Sequence, residues 1–201
     1  MYTIGVTGGI GAGKSRVLDY LRTRWGAEII RLDDISRGLL SCGTPEYKKT
    51  CELFGPDYIR DDGTLDRGKI AARIFADEKM RDLLDGIIHP AVKTESVRLK
   101  EEAEKAGCRL FVIEAALLIE EHYDAICNEL WYIYAGDTTR YSRLALSRGY
   151  DGQRIRDTMA RQLTDEEFRA NTDYTVDNSG SFEETMKAVD CRIRKILEAG
   201  N

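Results

Sequence analysis

The sequence predicts an α/β fold of three αβα layers, with a five-stranded parallel sheet between helices. Three observations carry this: five short apolar, β-rich runs, helical patterns between most of them, and a glycine-rich turn directly after the first run. Strands alternating with helices imply a parallel sheet covered on both faces. Ligands bind such sheets beyond the carboxyl ends of the strands, so the residues after each run are the candidate functional ones.

The first run is Tyr2-Thr3-Ile4-Gly5-Val6, and Gly8 to Ser15 then read Gly-Gly-Ile-Gly-Ala-Gly-Lys-Ser, a full G-x-x-x-x-G-K-[ST] pattern. A buried strand feeding a glycine-rich turn aims several backbone N–H groups at one point, and the following helix adds the positive end of its dipole. Gly9, Gly11, Ala12 and Gly13 would wrap the phosphates, and Lys14 would reach the β- and γ-phosphates. The Ser15 hydroxyl would ligate Mg²⁺. The plainer alternative is a tight turn into a helix; the complete pattern, placed where the mechanism needs it, favours a nucleoside triphosphate site.

The second run, 27–30, is followed by Asp33 and Asp34. Phosphoryl transfer needs an acceptor hydroxyl aligned with the γ-phosphate, a group to take its proton, and cations around the moving charge. Asp33 fits the second requirement. It fits equally well as the N-cap of a helix starting near Asp34 or Ile35. A long helical region, about 34–105, follows, broken at Gly55-Pro56, Asp61-Asp62-Gly63 and His89-Pro90. It exceeds what one crossover needs, so the surplus is a helical insertion that would hold a second substrate.

The third run, 110–113, ends beside Glu114, a weaker candidate for the outer shell of Mg²⁺. After the fourth run, 130–134, every lysine or arginine up to Lys187 is arginine, and Arg140 and Arg143 are helical neighbours at i and i+3. Arginine grips phosphate oxygens bidentately and keeps its charge. Residues 141–169 are therefore expected to form an arginine-bearing lid, hinged at Gly149-Tyr150-Asp151-Gly152. The fifth run, 174–176, leads into an amphipathic helix with Phe182, Met186, Val189, Ile193 and Ile196 on its apolar face.

Composition narrows the function. Hydrophobic residues are 42% and charged residues 32% of the chain, an ordinary globular balance. A net charge of −5 argues against a nucleic-acid coat protein, and no run has the length of a membrane span. Five cysteines without Cys-x-x-Cys spacing and two histidines suggest neither zinc nor a disulfide framework, and the N-terminus lacks a signal-peptide layout. The expectation is a cytoplasmic protein acting on small molecules, with no nucleic acid or membrane partner, as a monomer or small homo-oligomer.

The ordered set of motifs resembles the dephospho-coenzyme A kinase family, a branch of the nucleotide-kinase-like P-loop proteins. It consists of Val6 to Ser15, the Asp33–Arg37 segment, Ile88-His89-Pro90 with Val92, Leu117-Leu118-Ile119-Glu120, Gln162 before Asp173, and Asp177-Asn178-Ser179-Gly180-Ser181. The resemblance implies one P-loop kinase domain over 1–201, with a core of about 1–33, 106–140 and 170–201. It implies transfer of the ATP γ-phosphoryl group to the 3′-hydroxyl of dephospho-coenzyme A, giving coenzyme A and ADP. Asp33, Lys14 and Arg140 would be catalytic. ATP would be held by the loop with Arg16, Arg143, Asn178 and Gly180, the last two beside adenine. Thr7, Asp33, Arg37, His89 and Leu117 would contact the acceptor.

The chain departs from the family pattern at several points. Arg31-Leu32-Asp33 stands where Asp-Ala-Asp is common, Arg16 replaces a hydroxyl residue, Ala116 a proline and Phe168 a lysine, and the Arg143–Arg148 interval is one residue longer. A remodelled acceptor pocket around Arg31 would favour a nucleoside or nucleotide kinase on the same scaffold. A GTP-dependent switch is disfavoured, since the chain has no Asn-Lys-x-Asp and its only Asp-x-x-Gly is Asp177 to Gly180.

Overall fold

The computed structural model describes residues 1–148 and 151–199; the side chains of Ser147, Arg148 and Ala199 are not among them. The expected hinge residues Gly149 and Tyr150, and the Arg148 side chain, thus lie outside the described residues. The chain divides into two compact units, Met1–Ile29 with Ala103–Asn201, and Ile30–Glu102.

Five strands form one sheet: β1 (Tyr2–Thr7), β2 (Glu28–Arg31), β3 (Leu110–Glu114), β4 (Glu129–Tyr134) and β5 (Tyr174–Asp177), in the order β2-β3-β1-β4-β5. β1 runs parallel to β3 and to β4, and β4 parallel to β5. Every residue of β1 after Tyr2 is buried, as expected for a parallel strand covered on both faces. The strand order reverses at β1, which puts the sheet's switch point, and hence its ligand crevice, at the end of that strand. The register Val6↔Glu114 sets Glu114 level with the start of the glycine turn.

Helices α1 (Lys14–Trp25) and α9 (Phe182–Ala199) supply Val17, Leu18, Leu21, Val189, Ile193 and Ile196 to one core with Ile4, Val6, Val112, Trp131 and Val176 of the sheet. The steps of three and four along α9 put those residues on one face. Between β4 and β5 come α6 (Asp137–Arg148), α7 (Gly152–Ala160) and α8 (Asp165–Ala170). Ile155 anchors α7, and Phe168 of α8 stacks on Tyr132 at 4.5 Å between ring centroids. Position 168, where a lid lysine is the family norm, is therefore an apolar anchor here.

The second unit is helical: α2 (Leu32–Leu39), α3 (Pro45–Phe54), α4 (Arg67–Ala76) and most of α5 (Glu78–Lys105). Thr44 caps α3 with Pro45 in its first turn, and Gly55 ends it at φ 84°, as the Gly55-Pro56 signal foretells. The Asp61-Asp62-Gly63 turn closes a small antiparallel bridge between Ile59 and Leu65. His89-Pro90 is a correction to the sequence reading. It does not break the chain, because Pro90 lies inside the 28-residue α5. The carbonyl that proline deprives of a partner belongs to Gly86, which is exposed, so water can replace the lost donor.

At the opposite end of the strands from the glycine turn, Glu129 is buried and accepts from Trp131 Nε1 at 2.8 Å, from Arg192 Nε at 3.1 Å and from Arg192 Nη2. Burial alone would raise its carboxyl, but hydrogen bonds from Arg192, Trp131 and Tyr2 outweigh it and hold the group below its ordinary 4.5. The stability this contributes is complete above the unfolded-chain value and is lost as pH falls through the lower folded value. Glu129→Gln is expected to cost about 2 kcal/mol at pH 7, since Arg192 keeps partial solvent access. The gap from the parent protein should narrow below pH 4.5 in urea unfolding curves.

Candidate active site

The turn after β1 is built from backbone that only glycine adopts readily. Gly11 and Gly13 have φ of 80° and 90°, and a Cβ on Gly13 would also collide with the Asn178 amide nitrogen. Gly13 is the N-cap of α1, and no side chain caps that end. The first amides of α1 and the helix dipole are thus directed at whatever anion the turn encloses. Lys14 arches back, its Nζ donating to the Gly8 carbonyl at 2.7 Å and lying 3.9 Å from Glu114 Oε1. Ser15 is exposed on the first turn. Arg16, also exposed, lies over the Phe182 ring at 3.9 Å, which gives this departure from the family pattern a cation–π partner on α9.

Side chains from the β4–β5 segment and the β5–α9 turn grip the loop from outside. Arg140 Nε donates to the Ile10 carbonyl at 2.9 Å and its Nη2 to Gln162 Oε1 at 2.7 Å. Arg143 Nη1 donates to the Ala12 carbonyl at 3.2 Å and its Nη2 to the Asn178 carbonyl at 2.8 Å. The expected cations of α6 therefore do meet the phosphate loop. Arg169 does not; it pairs with Asp165 at 2.9 Å and lies over Tyr134.

Asn178 has a structural partner set of its own. Its side chain is 2% exposed, with Nδ2 donating to the Ala12 carbonyl at 2.7 Å and Oδ1 accepting from Thr185 Oγ1 at 3.0 Å. It braces the loop through one N–H and the oxygen of its amide, while Gly180 beside it is exposed. Thr7 is likewise buried, donating to the Ala116 carbonyl at 3.4 Å and tying the end of β1 to the segment after β3. Leu117 next to it is half exposed. Gln162, which the sequence marks only as part of a resemblance, is the grip residue whose role was not foreseen. Its place just beyond α7, in the arginine-rich segment, is the only local signal of it.

In the helical unit, α2 starts at Leu32 with Arg31 as an N-cap that makes no side-chain hydrogen bond. Neither Asp33 nor Asp34 is therefore the cap, and the helix begins earlier than the sequence suggests. Asp33 is an exposed first-turn residue, where the helix dipole favours a carboxylate. Asp34 pairs with Arg37 at 3.1 Å. His89 lies in the body of α5, 3.6 Å from Asp85 Oδ1.

A parallel sheet with its switch point at a G-x-x-x-x-G-K-S turn, an uncapped helix behind that turn and arginines laid on it define a P-loop phosphotransferase of the nucleotide-kinase type. Comparison with known proteins sharpens the class. The family model described as dephospho-CoA kinase matches residues 2–184. Among curated relatives, the dephospho-CoA kinase of Corynebacterium glutamicum is 35% identical over all of both chains. That of Syntrophotalea carbinolica is 34% identical over 94% of this chain and 89% of its own. The crystal structure of TT1252 from Thermus thermophilus superposes with a TM-score of 0.84 at 26% identity, covering 98% of this chain and 97% of that one. Dephospho-CoA kinase from Campylobacter jejuni, at 19% identity and a TM-score of 0.73 over 99% and 98% of the two chains, shares the fold. The chain belongs to the dephospho-CoA kinase family, and it is a kinase.

Gly13→Ala should place a methyl group against Asn178 in a backbone region that disfavours it. ADP affinity measured by titration calorimetry is expected to fall at least about 30-fold, on the scale of 2 kcal/mol of strain, with the fold retained by circular dichroism.

Proposed function

We propose that this protein transfers the γ-phosphoryl group of ATP to the 3′-hydroxyl of dephospho-coenzyme A, yielding coenzyme A and ADP. The support is the family match over residues 2–184 together with a loop that retains Lys14 and Ser15 and carries the Arg140 guanidinium against its own backbone.

The transfer asks for positioning and charge stabilisation more than covalent chemistry. The amides of Gly9, Gly11 and Gly13 to Ser15, at the N-terminus of α1, hold the β- and γ-phosphates, while Lys14 follows the charge from ground to transition state. Arg140 neutralises charge on the moving group, and Arg143 and Arg16 flank the nucleotide. The exposed Ser15 hydroxyl suits Mg²⁺, which takes one or two protein oxygens and fills its remaining positions with phosphate and water. When bound, the ion would offset negative charge on the phosphates during transfer. Asp33 takes the proton of the attacking hydroxyl; its exposure and its freedom from any capping duty support that role. Thr7, Arg37, His89, Leu117 and the helical unit serve the acceptor, and Gly180 lies beside the adenine. Free cysteines throughout suit a reducing cytoplasm.

An assay offering ATP and Mg²⁺ with dephospho-coenzyme A, adenosine and several nucleoside monophosphates in parallel tests the reading. Dephospho-coenzyme A should drive ADP formation, with the product phosphate on the 3′ position; turnover of a nucleoside or monophosphate instead overturns it. Asp33→Asn should keep ATP affinity and lower kcat about 10²-fold, the scale of a lost general base. Lys14→Ala should impair both affinity and kcat, because its charge acts in both states. Steady-state kinetics with separate nucleotide titrations distinguishes the two.

A further inference from the structure

Ile10, Gln162 and Arg140 close a ring of hydrogen bonds. The Ile10 N–H donates to Gln162 Oε1 at 2.9 Å, Arg140 Nη2 donates to the same oxygen at 2.7 Å, and Arg140 Nε donates to the Ile10 carbonyl at 2.9 Å. Both partners of the Gln162 amide are donors, so only its oxygen can face them, which fixes the orientation of the group. The glycine at position 9 makes room: a Cβ there would lie 2.6 Å from the Arg140 guanidinium carbon. The guanidinium thus rests in a hollow of the loop, with Nε and Nη2 fastened within the ring.

Gln162 is itself well held. It follows α7, whose Ile155 is fully buried, and its N–H donates to the Met159 carbonyl at 3.2 Å. Two residues on, Thr164 and Glu167 form a capping box that starts α8, and Phe168 ties that helix to Tyr132. The side chain is delivered to the loop from a backbone fixed on both sides.

We propose that Gln162 is the positioning residue for Arg140, setting the guanidinium over the phosphate loop as a cation for the γ-phosphate. The proposal rests on the phosphoryl-transfer reading given above. A neutral amide is the functional choice, because it accepts two hydrogen bonds without cancelling the charge it orients. Outside the ring, Arg140 Nη1 donates to Asp137 Oδ1 at 3.4 Å, and that carboxylate is 84% exposed and screened by water. Pre-setting the cation removes the cost of ordering a long side chain during transfer.

The test compares affinity for a non-hydrolysable ATP analogue with affinity for ADP, both with Mg²⁺, by calorimetry in the parent protein, Gln162→Leu, Gln162→Glu, Arg140→Ala and the Gln162→Leu/Arg140→Ala double variant. Gln162→Leu is expected to weaken the analogue tenfold or more, to leave ADP within twofold, and to add nothing once Arg140 is gone. Gln162→Glu can still close the ring, so it should keep the parent melting temperature while weakening the analogue through its added charge. Equal losses for the two nucleotides, additivity with Arg140→Ala, or parent analogue affinity in any of the three single variants overturns the proposal. None of these readouts needs the acceptor, so a protein that fails to phosphorylate dephospho-coenzyme A would defeat the functional reading and still decide this one.

Discussion

The structure depends on keeping a glycine-rich backbone turn in one conformation although glycine gives it every freedom to leave. The turn meets its Gly9 carbonyl with the Ala12 N–H at 3.2 Å, but its other carbonyls need partners, since unpaired polar backbone beside a core is costly. Three carbonyls are met by side chains: Gly8 by Lys14, Ile10 by Arg140, and Ala12 by both Asn178 and Arg143. The amides on the inner side of the turn stay available to an anion because the outer side is braced.

The sheet order makes that bracing feasible. β4 pairs directly with β1 and β5 with β4, so the turns that leave them stand beside the glycine turn. The two turns are also joined to each other, with the Gly136 N–H donating to Ser179 Oγ at 3.0 Å and the Asn178 N–H to the Tyr134 carbonyl at 2.8 Å. α6 and the β5–α9 turn therefore approach the loop as a connected support, and buried Thr185 fixes the amide of Asn178 within it.

Electrostatically, Lys14, Arg140 and Arg143 bring three cations to the loop of an acidic chain. The contacts that fasten Arg140 and Arg143 to the loop are mainly to carbonyl and amide oxygens, which orient a guanidinium without neutralising it. Arg169, paired with Asp165 and stacked on an aromatic ring, has spent its charge on structure. The same residue type thus serves two purposes along one segment, separated by the oxygen each side chain meets. The departures at 16 and 168 follow a similar logic, since each has a ring to pack against.

Period and punctuation in the sequence determined the strands, the phosphate loop, the amphipathic last helix and the arginine supply, because these depend on local chemistry: alternation, glycine freedom and the G-x-x-x-x-G-K-S spacing. Local signals misjudged Pro90, since a long helix with an exposed Gly86 tolerates the loss of one hydrogen bond. They also left Asp33 undecided between cap and base, because capping turns on where a helix begins to within one residue. Only tertiary structure decided that Asn178 faces inward, that Phe168 is an anchor, and that Arg140 and Gln162, 130 and 152 residues from Ile10 in sequence, close upon it. Those pairings are set by the order of strands in the sheet, a property of the whole chain that no window of sequence contains.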